Sequence, residues 1–458
     1  MSGAKCDGTG RNPGPSRDRI VFNFAAYNRL SLTTPGVCLL TSTRAIAQKN
    51  RPPLRVIFIN RYFSPDISAT SQMLSDLCFA LAPRGFEIVV VASRMAYDSP
   101  ETELPARELC RGVDVHRVWT TRFGRSTLAG RACDYLAFYC SAFLALMMIV
   151  RRGDVVVAKT DPPLISVVAA AVARLKGARL INWLQDLFPE VALRLGVVRA
   201  GAVAGLLRKL RNWSLRVANV NVAIGSRMAK LLVEEGATPQ SIAVIHNWAD
   251  PALITPTPRA DNALRQAWAL TDRFVVGYSG NLGRAHEFDT MLGAAEILAA
   301  DPSISFLFIG GGHGNGQLRE ATATRGLSNV QFRPYQPQSM LAQSLAVPDV
   351  HLVSLLPAME GLIVPSKIYG IAAAGRPCIF IGDASGELAD LLKQGGFGLV
   401  VTPGDSQALA DAIRKLQADP AQLQVQMSSA RQYFEDHHTT EHSVARWEAL
   451  LRALANKD

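Results

Sequence analysis

Short apolar runs alternate along the chain with longer segments of helical spacing. Residues 55–60 (RVIFIN) and 87–93 (EIVVVAS) are apolar and β-branched, and the segment from about Ser68 to Arg84 between them ends at Gly85. Short apolar runs bounded by polar residues are typical of buried parallel strands. A strand, a helix and a second strand joined by short links predict a βαβ unit in a parallel sheet.

The same alternation continues and divides into two consecutive series. Further strands of the first series are predicted at 113–118, 154–159, 179–183, 220–224 and 242–246. The second series begins at Phe274 with FVVGYSG and continues through ISFLFIGGG, VQFRPY, DVHLVSL, PCIFIG and GLVV. The pattern predicts an α/β protein of two Rossmann-like domains whose parallel sheets face each other across a cleft, where ligands of such folds collect.

Composition sets the predicted domain boundaries. Residues 1–52 are rich in Gly, Ser, Pro and Arg, and we expect a disordered or poorly ordered extension. The first domain is predicted at 53–248, and the Pro-, Thr- and Ala-rich stretch 249–273 is interpreted as a linker. The second domain is predicted at 274–435, followed by a C-terminal helix at 436–458.

The charge distribution indicates an anionic partner. The net charge is +10, and the stretch from Val191 to Val233 contains no Asp or Glu. Its basic residues are Arg194, Arg199, Arg208, Lys209, Arg211, Arg216, Arg227 and Lys230. The longest uncharged apolar run, Tyr135 to Val150, lies in the same half. Apolar and basic residues together favour an anionic membrane surface over nucleic acid, although a core helix explains an apolar run of this length equally well.

The cysteine pattern bears on compartment and metal binding. Seven cysteines are scattered with no CxxC and no Cys/His cluster, so we expect reduced thiols, a cytoplasmic protein and no metal site. The first fifty residues lack the apolar core and cleavage site of a secretory signal.

Three loops are candidates for binding phosphate. In YSGNLGRAHEFDTML, Gly280 and Gly283 leave the backbone uncovered and Arg284 supplies a planar cation, although Gly-x-x-Gly alone is common. In EGLIVPSKIYGIAAAGRP, Ser366 suits a helix N-cap, and Lys367 in the first turn opposes the helix dipole unless an anion lies there. A solvated lysine is the alternative. The third loop is small and polar at Ser68, Ala69 and Thr70, and an ordinary βα loop explains it equally well.

Acidic residues follow predicted strand ends in the first half. Asp161 lies in KTDPPLISV, and Asp186 and Glu190 lie in NWLQDLFPE. A carboxylate facing the cleft could orient an acceptor hydroxyl or take its proton. The alternative is a carboxylate at a helix start and a second one at the surface.

Taken together, these segments resemble the family-4 retaining glycosyltransferases of GT-B fold over roughly residues 54–450. Within that family, the segments resemble the bacterial surface-polysaccharide branch that includes N-acetyl-fucosamine transferases. Its motifs are RYFSPDISATSQML, AKTDPPLIS, NWLQDLFPE, VAIGSRMAKLL, HNWAD, GYSGNLGRAHEFDTML, FLFIGGG and VPSKIYGIAAAGRP. The order and spacing of these motifs carry the resemblance.

The resemblance implies a role for each matching residue. Arg284 and Lys367 would contact the donor diphosphate and act in catalysis with Asp186, which stands where many relatives carry a histidine. The remaining donor-site residues implied are Gly280, Asn281, Gly283, Gly310, Ser366 and Glu360. Many relatives have two glutamates ahead of Gly375, where this chain has Leu362 and Gly370, so Glu360 is the nearest acidic residue. Asp161, Asp186 and Glu190 would hold the acceptor.

The implied reaction is transfer of a hexose or N-acetylaminosugar from a nucleoside-diphosphate sugar, with retention and without a metal or other cofactor. We expect a polyprenyl-linked saccharide as acceptor and peripheral attachment to the inner face of the cytoplasmic membrane. A nucleotide-sugar 2-epimerase of the same fold is the main alternative. A Rossmann oxidoreductase fits poorly, because GGGHGNG after the strand at 304–309 lacks the Gly-x-Gly-x-x-Gly spacing and its acidic partner.

Overall fold

The computed structural model describes residues 53–66, 68–97, 103–124 and 127–456. The predicted N-terminal extension, residues 1–52, lies outside the described residues.

The first half is built on an eight-stranded sheet. Its strands are β1 Leu54–Ile59, β2 Phe86–Ser93, β3 Arg107–Cys110, β4 Val113–Val118, β5 Val155–Lys159, β6 Arg179–Leu184, β7 Val220–Ala223 and β8 Ile242–Val244. Their order is β3-β4-β2-β1-β5-β6-β7-β8, and every neighbouring pair is parallel except β3 with β4. The antiparallel edge strand β3 was not predicted, because its RELC sequence is only four residues long and has neither a continuous apolar run nor an alternation of polar and apolar residues.

The second half has a six-stranded, wholly parallel sheet. Its strands are β9 Phe274–Ser279, β10 Ile304–Ile309, β11 Val330–Arg333, β12 Val350–Ser354, β13 Cys378–Ile381 and β14 Gly398–Val401. Their order is β11-β10-β9-β12-β13-β14. Two α/β halves with parallel sheets confirm the predicted fold class.

Helices cover both faces of each sheet. Those of the first half are α1 Ala69–Leu81, α2 Leu128–Ile149, α3 Ile165–Lys176, α4 Glu190–Arg194, α5 Ala202–Val217 and α6 Ser226–Glu234. They are followed by α7 Ala263–Ala267, α8 Asp289–Ile297, α9 Asn315–Thr324, α10 Leu341–Ala346, α11 Lys367–Ala373, α12 Glu387–Gly395, α13 Ser406–Ala418, α14 Pro420–His437 and α15 Thr440–Ala455. Short 3-10 turns lie at Ala82–Arg84, Pro239–Ser241, Arg259–Asp261, Gln338–Met340 and Pro357–Met359.

Alternate residues of β1 belong to two separate cores. Val56 and Phe58 face α1 and α15, whereas Ile57 and Ile59 face α2, α3 and α5. Because both faces are covered by helices, the strand is apolar from Val56 to Ile59 instead of alternating.

The segment predicted as a linker packs against the second half. Arg265 in α7 is buried and pairs with Asp349 at 2.8 Å, and it also donates to the Val347 carbonyl at 2.7 Å. Hydrogen bonding to several acceptors offsets the cost of burying this guanidinium.

The chain passes between the halves at two adjacent points. The Ala249 N–H donates to the His438 carbonyl at 3.2 Å, and the Thr440 N–H donates to the Ala249 carbonyl at 3.1 Å. Helix α15 then returns to the first half, where Trp447 packs against Trp183 with ring centroids 4.9 Å apart.

Candidate active site between the two halves

Two glycine turns meet at the carboxyl ends of β9 and β10. The strands pair in register up to Ser279 and Ile309, so Gly280 and Gly310 follow side by side. Both glycines have positive φ, 122° and 137°, and a Cβ at Gly310 would lie 2.2 Å from the Gly280 carbonyl oxygen. Only glycine allows this approach. The next turn is equally tight, since a Cβ at Gly312 would lie 2.1 Å from Asn281 Oδ1.

Lys367 extends from the start of α11 to the Gly280 turn. A Cβ at Gly280 would lie 3.7 Å from its Nζ, and the Nζ stands 3.7 Å from the centre of the Tyr278 ring. The ammonium is buried and has no hydrogen-bond partner within the described chain. Burial lowers its pKa to about 7. A buried cation supported only by an aromatic face is a place where an anion would be stabilised.

The other donor-loop residues line the same turn. Arg284 and Ser366 are exposed, and the Arg284 guanidinium has no ion pair within the described residues. His286, between Gly283 and the start of α8, donates from Nδ1 to the Ser354 carbonyl at 2.6 Å. Burial first, and the nearby charge of Lys367 second, lower the pKa of His286 to about 4. The imidazole is therefore neutral at physiological pH.

Glu360 is engaged at a helix start. Its Oε1 accepts from the Glu387 N–H at the beginning of α12, at 2.7 Å. A Cβ at Gly386 would lie 2.5 Å from Oε2, so the glycine makes room for the carboxylate. Burial raises the pKa of Glu360. This capping contact is the role that the structure gives Glu360, and the predicted contact with the donor sugar stays a prediction.

The first-half loops form a second polar cluster at the ends of β1 and β5. The Thr70 hydroxyl donates to Asp161 Oδ2 at 3.0 Å, and Lys159 Nζ donates to the Thr70 carbonyl at 2.9 Å. The structure thus brings together two loops about ninety residues apart in sequence. Ser68 lies beside Ala69 and Thr70, and its hydroxyl is buried without a hydrogen-bond partner among the described residues. The Ser68 backbone N–H donates to Asp66 Oδ1 at 2.8 Å.

Asp186 lies where the two halves touch. It pairs with Ile363 as an isolated antiparallel bridge, and the next N–H, of Leu187, donates to the Leu362 carbonyl at 3.0 Å. Its Oδ1 is buried without a partner. Burial first, and the charge of Asp161 second, raise the pKa of Asp186 to about 7. The two aspartates therefore share one electrostatic environment at the cleft.

Glu190 is held by two arginines of α5. It accepts from Arg208 at 2.8 Å and from Arg211 at 2.9 Å, and Arg211 also pairs with Glu235 at 2.9 Å. Both ion pairs of Glu190 use Oε1, whereas Oε2 is buried without a partner among the described residues, and the predicted contact with the acceptor stays a prediction. The pairs also reduce the predicted basic surface, because the Arg211 side chain is almost fully buried and Arg208 is partly neutralised.

Two residues near these clusters were not predicted. Lys159 is the last residue of β5, 1% exposed, with its Nζ 3.9 Å from the centre of the Trp183 ring. A lysine that closes a buried strand was the available signal. Tyr278, beneath Lys367, gave no signal, because an aromatic residue in a strand is ordinary core. Within the described residues, no group of three or more His, Cys, Asp or Glu side chains is placed to hold a metal ion.

Comparison with known proteins identifies both halves. Residues 69–248 match the family described as glycosyl transferase 4-like domain, and residues 273–419 match glycosyl transferases group 1. Over 396 residues, 83% of this chain and 96% of the relative, the sequence is 27% identical to WcaI of Escherichia coli, whose name assigns it to colanic acid biosynthesis. It is 29% identical to WbjE of Pseudomonas aeruginosa, named as a glycosyltransferase, over 58% of this chain and 66% of the relative.

Solved structures share the fold. Sucrose-phosphate synthase of Thermosynechococcus elongatus superposes with a TM-score of 0.71 at 18% identity, covering 88% of this chain and 99% of that one. Anabaena HepE, solved with UDP-glucose, gives 0.66 at 17% identity, covering 87% of this chain and 100% of that one. The first half therefore matches the glycosyl transferase 4-like domain, the second half matches glycosyl transferases group 1, and the chain shares the GT-B fold of these solved structures.

Proposed function

We propose that this protein transfers a sugar, a hexose or an N-acetylaminosugar, from a nucleoside-diphosphate sugar to a polyprenyl-linked saccharide. The product would belong to a bacterial surface polysaccharide. The name of WcaI supports this setting, the name of WbjE supports sugar transfer, and the HepE complex with UDP-glucose supports the donor class. Retention of anomeric configuration and membership of family 4 complete the proposal and rest on the sequence motifs.

The observation that carries the proposal is the buried ammonium of Lys367. It lies 3.7 Å from the Tyr278 ring centre, beside the Gly280 turn, without a hydrogen-bond partner. A diphosphate there would supply the missing counter-charge, and Arg284 at the rim would contribute a second cation. Together they would stabilise the charge that develops on the departing diphosphate, a role that other enzymes give to a metal ion.

The first half would present the acceptor. Asp186 and Asp161 lie close enough for the charge of one to raise the pKa of the other. In a carboxyl pair that shares one proton, the protonated group can donate a hydrogen bond to a sugar hydroxyl and the ionised group can accept one. The acceptor oxygen forms the new bond to the anomeric carbon as the bond to the diphosphate breaks. The hydroxyl proton passes to the departing phosphate oxygen, so the step needs no separate protein base.

A donor and acceptor screen tests this function. Purified protein is incubated with UDP- and GDP-sugars, with and without a polyprenyl-diphosphate saccharide, and nucleoside diphosphate release is measured. We expect release that depends on the acceptor, and an NMR coupling constant of the product that shows retention. A nucleotide-sugar epimerase would instead convert its substrate without any acceptor, which would contradict transfer.

A further inference from the structure

One face of α2 is exposed and wholly apolar. Five exposed residues at intervals of four, and two more beside them in the first turns of the helix, form one row along α2. We name this row the apolar stripe. Its members are Ala129, Ala132, Cys133, Leu136, Cys140, Leu144 and Met148. Leu136, Leu144 and Met148 are 61%, 62% and 80% exposed. A helix on the surface of a globular protein normally carries charged or polar residues on its outer face, so an exposed stripe made only of apolar residues is unusual.

The opposite face of α2 is fixed in the core. Phe138, Ala142 and Leu146 are fully buried against the first-half sheet. By length and composition Ala129–Ile149 could cross a membrane, and 28% of its most apolar window is buried inside the protein. Since one face belongs to the core, α2 cannot leave the sheet to span a bilayer without exposing that core. The geometry favours a helix lying along a surface.

Aromatic residues extend the stripe at the start of α2. Trp119 and Phe123 are 60% and 65% exposed in the loop that precedes the helix. The loop is held by Asp134, which accepts from the Phe123 N–H at 3.0 Å and from the Gly124 N–H at 3.1 Å. Asp134 itself is 2% exposed, so this acid of α2 points inward. Exposed Trp and Phe side chains are suited to the boundary between headgroups and acyl chains.

Basic residues flank the stripe. Arg151 and Arg152 are exposed directly after α2, and Arg174 is exposed near the end of the neighbouring α3. This arrangement is complementary to a lipid surface that offers acyl chains at its centre and phosphate at its edge. A second copy of the chain would need a matching acidic rim around its own apolar face.

The apolar stripe is connected to the acceptor loops. Tyr139, on α2, donates its hydroxyl to the Pro163 carbonyl, two residues after Asp161. Tyr135 lies one turn earlier, and the Arg61 guanidinium carbon stands 5.2 Å from the centre of the Tyr135 ring. The helix that presents the stripe therefore also supports the loop that carries Asp161.

We propose that the apolar stripe, with Trp119 and Phe123, docks into the headgroup boundary of an anionic lipid bilayer. The acceptor end of the cleft would then face the membrane. Docking does not depend on the proposed transfer reaction, whereas the idea that it serves a lipid-linked acceptor rests on that proposed function. Insertion of apolar side chains, with these basic residues as a rim, gives a specific surface to the attachment expected from the apolar and basic residues of this half.

The test is sedimentation of the full chain with vesicles, without donor or acceptor. Vesicles of phosphatidylglycerol and phosphatidylethanolamine are compared with vesicles of phosphatidylcholine alone. We expect a Leu136→Glu/Leu144→Glu/Met148→Glu variant to lose at least about tenfold in partition coefficient, since three large apolar groups no longer enter the interface. The control is Leu109→Glu/Val233→Glu/Val425→Glu, at positions 77%, 41% and 57% exposed away from the stripe, which should bind like the parent.

Native cysteines give a second, site-specific measurement. Cys133 and Cys140 lie on the stripe, and Cys110 is half-buried on the edge strand β3. A water-soluble maleimide, with modified peptides assigned by mass spectrometry, should label Cys133 and Cys140 at least about fivefold more slowly on vesicles, and Cys110 at an unchanged rate.

Three outcomes would overturn the proposal. The first is equal binding of the parent and the stripe variant. The second is absence of parent binding to either kind of vesicle. The third is a parent dimer, measured by light scattering, that the stripe variant abolishes and that binds no lipid, because the stripe would then be a contact between copies. Transfer to a water-soluble acceptor analogue, measured separately, shows whether a failure lies in docking or in the proposed reaction.

Discussion

Glu387, in the second half, caps the helix that begins at Ser226 in the first half. Its carboxylate accepts from the Ser226 N–H at 3.0 Å, the Ser226 hydroxyl at 2.9 Å and the Arg227 N–H at 2.9 Å. His246 approaches the same group at 3.3 Å. Gly225 makes the contact possible, because a Cβ there would lie 2.7 Å from the Glu387 carboxyl carbon. An anion at a helix N-terminus stabilises the backbone N–H groups that the helix leaves unpaired.

We expect Glu387→Gln to weaken the contact between the halves. Burial raises the pKa of Glu387, but hydrogen bonds from His246, Arg227 and Ser226 outweigh it and lower the pKa to about 2. The stabilisation should therefore be complete above about pH 5 and disappear as the pH falls toward 2. Urea unfolding should show a lower midpoint at neutral pH for the variant, and the difference from the parent should shrink in acid. Glu435→Gln, at an exposed pair with Arg431, is the control. Equal midpoints for Glu387→Gln and the control would contradict this role.

Lys367→Ala and Arg284→Ala should each reduce turnover by about a hundredfold or more. Each removes one positive charge from the place where the diphosphate is proposed to depart. Circular dichroism should show an unchanged fold, since the Lys367 ammonium makes no hydrogen bond and Arg284 is exposed. Lys393→Ala, an exposed lysine on α12, should keep parental activity. Near-normal turnover in both site variants would remove the proposed donor site.

Donor affinity should weaken as the pH rises above 7. Burial lowers the pKa of unliganded Lys367 to about 7, and a bound diphosphate favours the charged amine and raises that pKa. Binding therefore takes up a proton, and the Kd should increase by up to about tenfold per pH unit between about pH 7.5 and 9. Isothermal titration calorimetry in buffers of different ionisation enthalpy would measure this proton uptake. In Lys367→Arg the dependence should vanish, because arginine stays charged; a flat profile in the parent would contradict the assignment.

Asp186→Asn should impair transfer more than donor binding. The residue lies on the first half of the cleft, and its predicted partner is the acceptor hydroxyl. The substitution should also stabilise the protein at pH 8. A folded-state pKa of about 7, above the value of 3.8 for an unperturbed aspartate, means that stability falls as pH rises through that window. Asparagine does not ionise and avoids this cost. Loss of nucleotide affinity with intact acceptor binding would place Asp186 on the donor side instead.

The fold class was accessible from sequence because the central strands of both sheets are buried on both faces. β1, β5, β10 and β12 are mainly apolar, and each stands out against its flanking segments. The edge strand β3 escaped prediction for the opposite reason, since none of its four residues is buried. Glycine turns after strands likewise pointed to the ends of β9 and β10.

The surroundings of the site residues were not accessible in the same way. Lys367 is identifiable as a lysine at a helix start. Nothing in the neighbouring sequence places it over Tyr278, which lies 89 positions earlier in strand β9. The pairing of Glu190 with Arg208 and Arg211 similarly depends on how α5 packs beside α4. Sequence spacing shows which residues follow strands, whereas their partners are set by strand order and helix packing, which a single sequence does not reveal.

The two chain crossings meet at Ala249 and restrict how the two halves can move apart. Its N–H and carbonyl bind His438 and Thr440, so both crossings are fastened at one point. Rotation about an axis through that point leaves these hydrogen bonds intact, whereas sliding one half along the other would break them. A pivot at this point opposes sliding and leaves rotation, which would have to separate Leu187 from Leu362 and Glu387 from Ser226. Distances measured between several pairs of labels on opposite lips of the cleft would follow that motion.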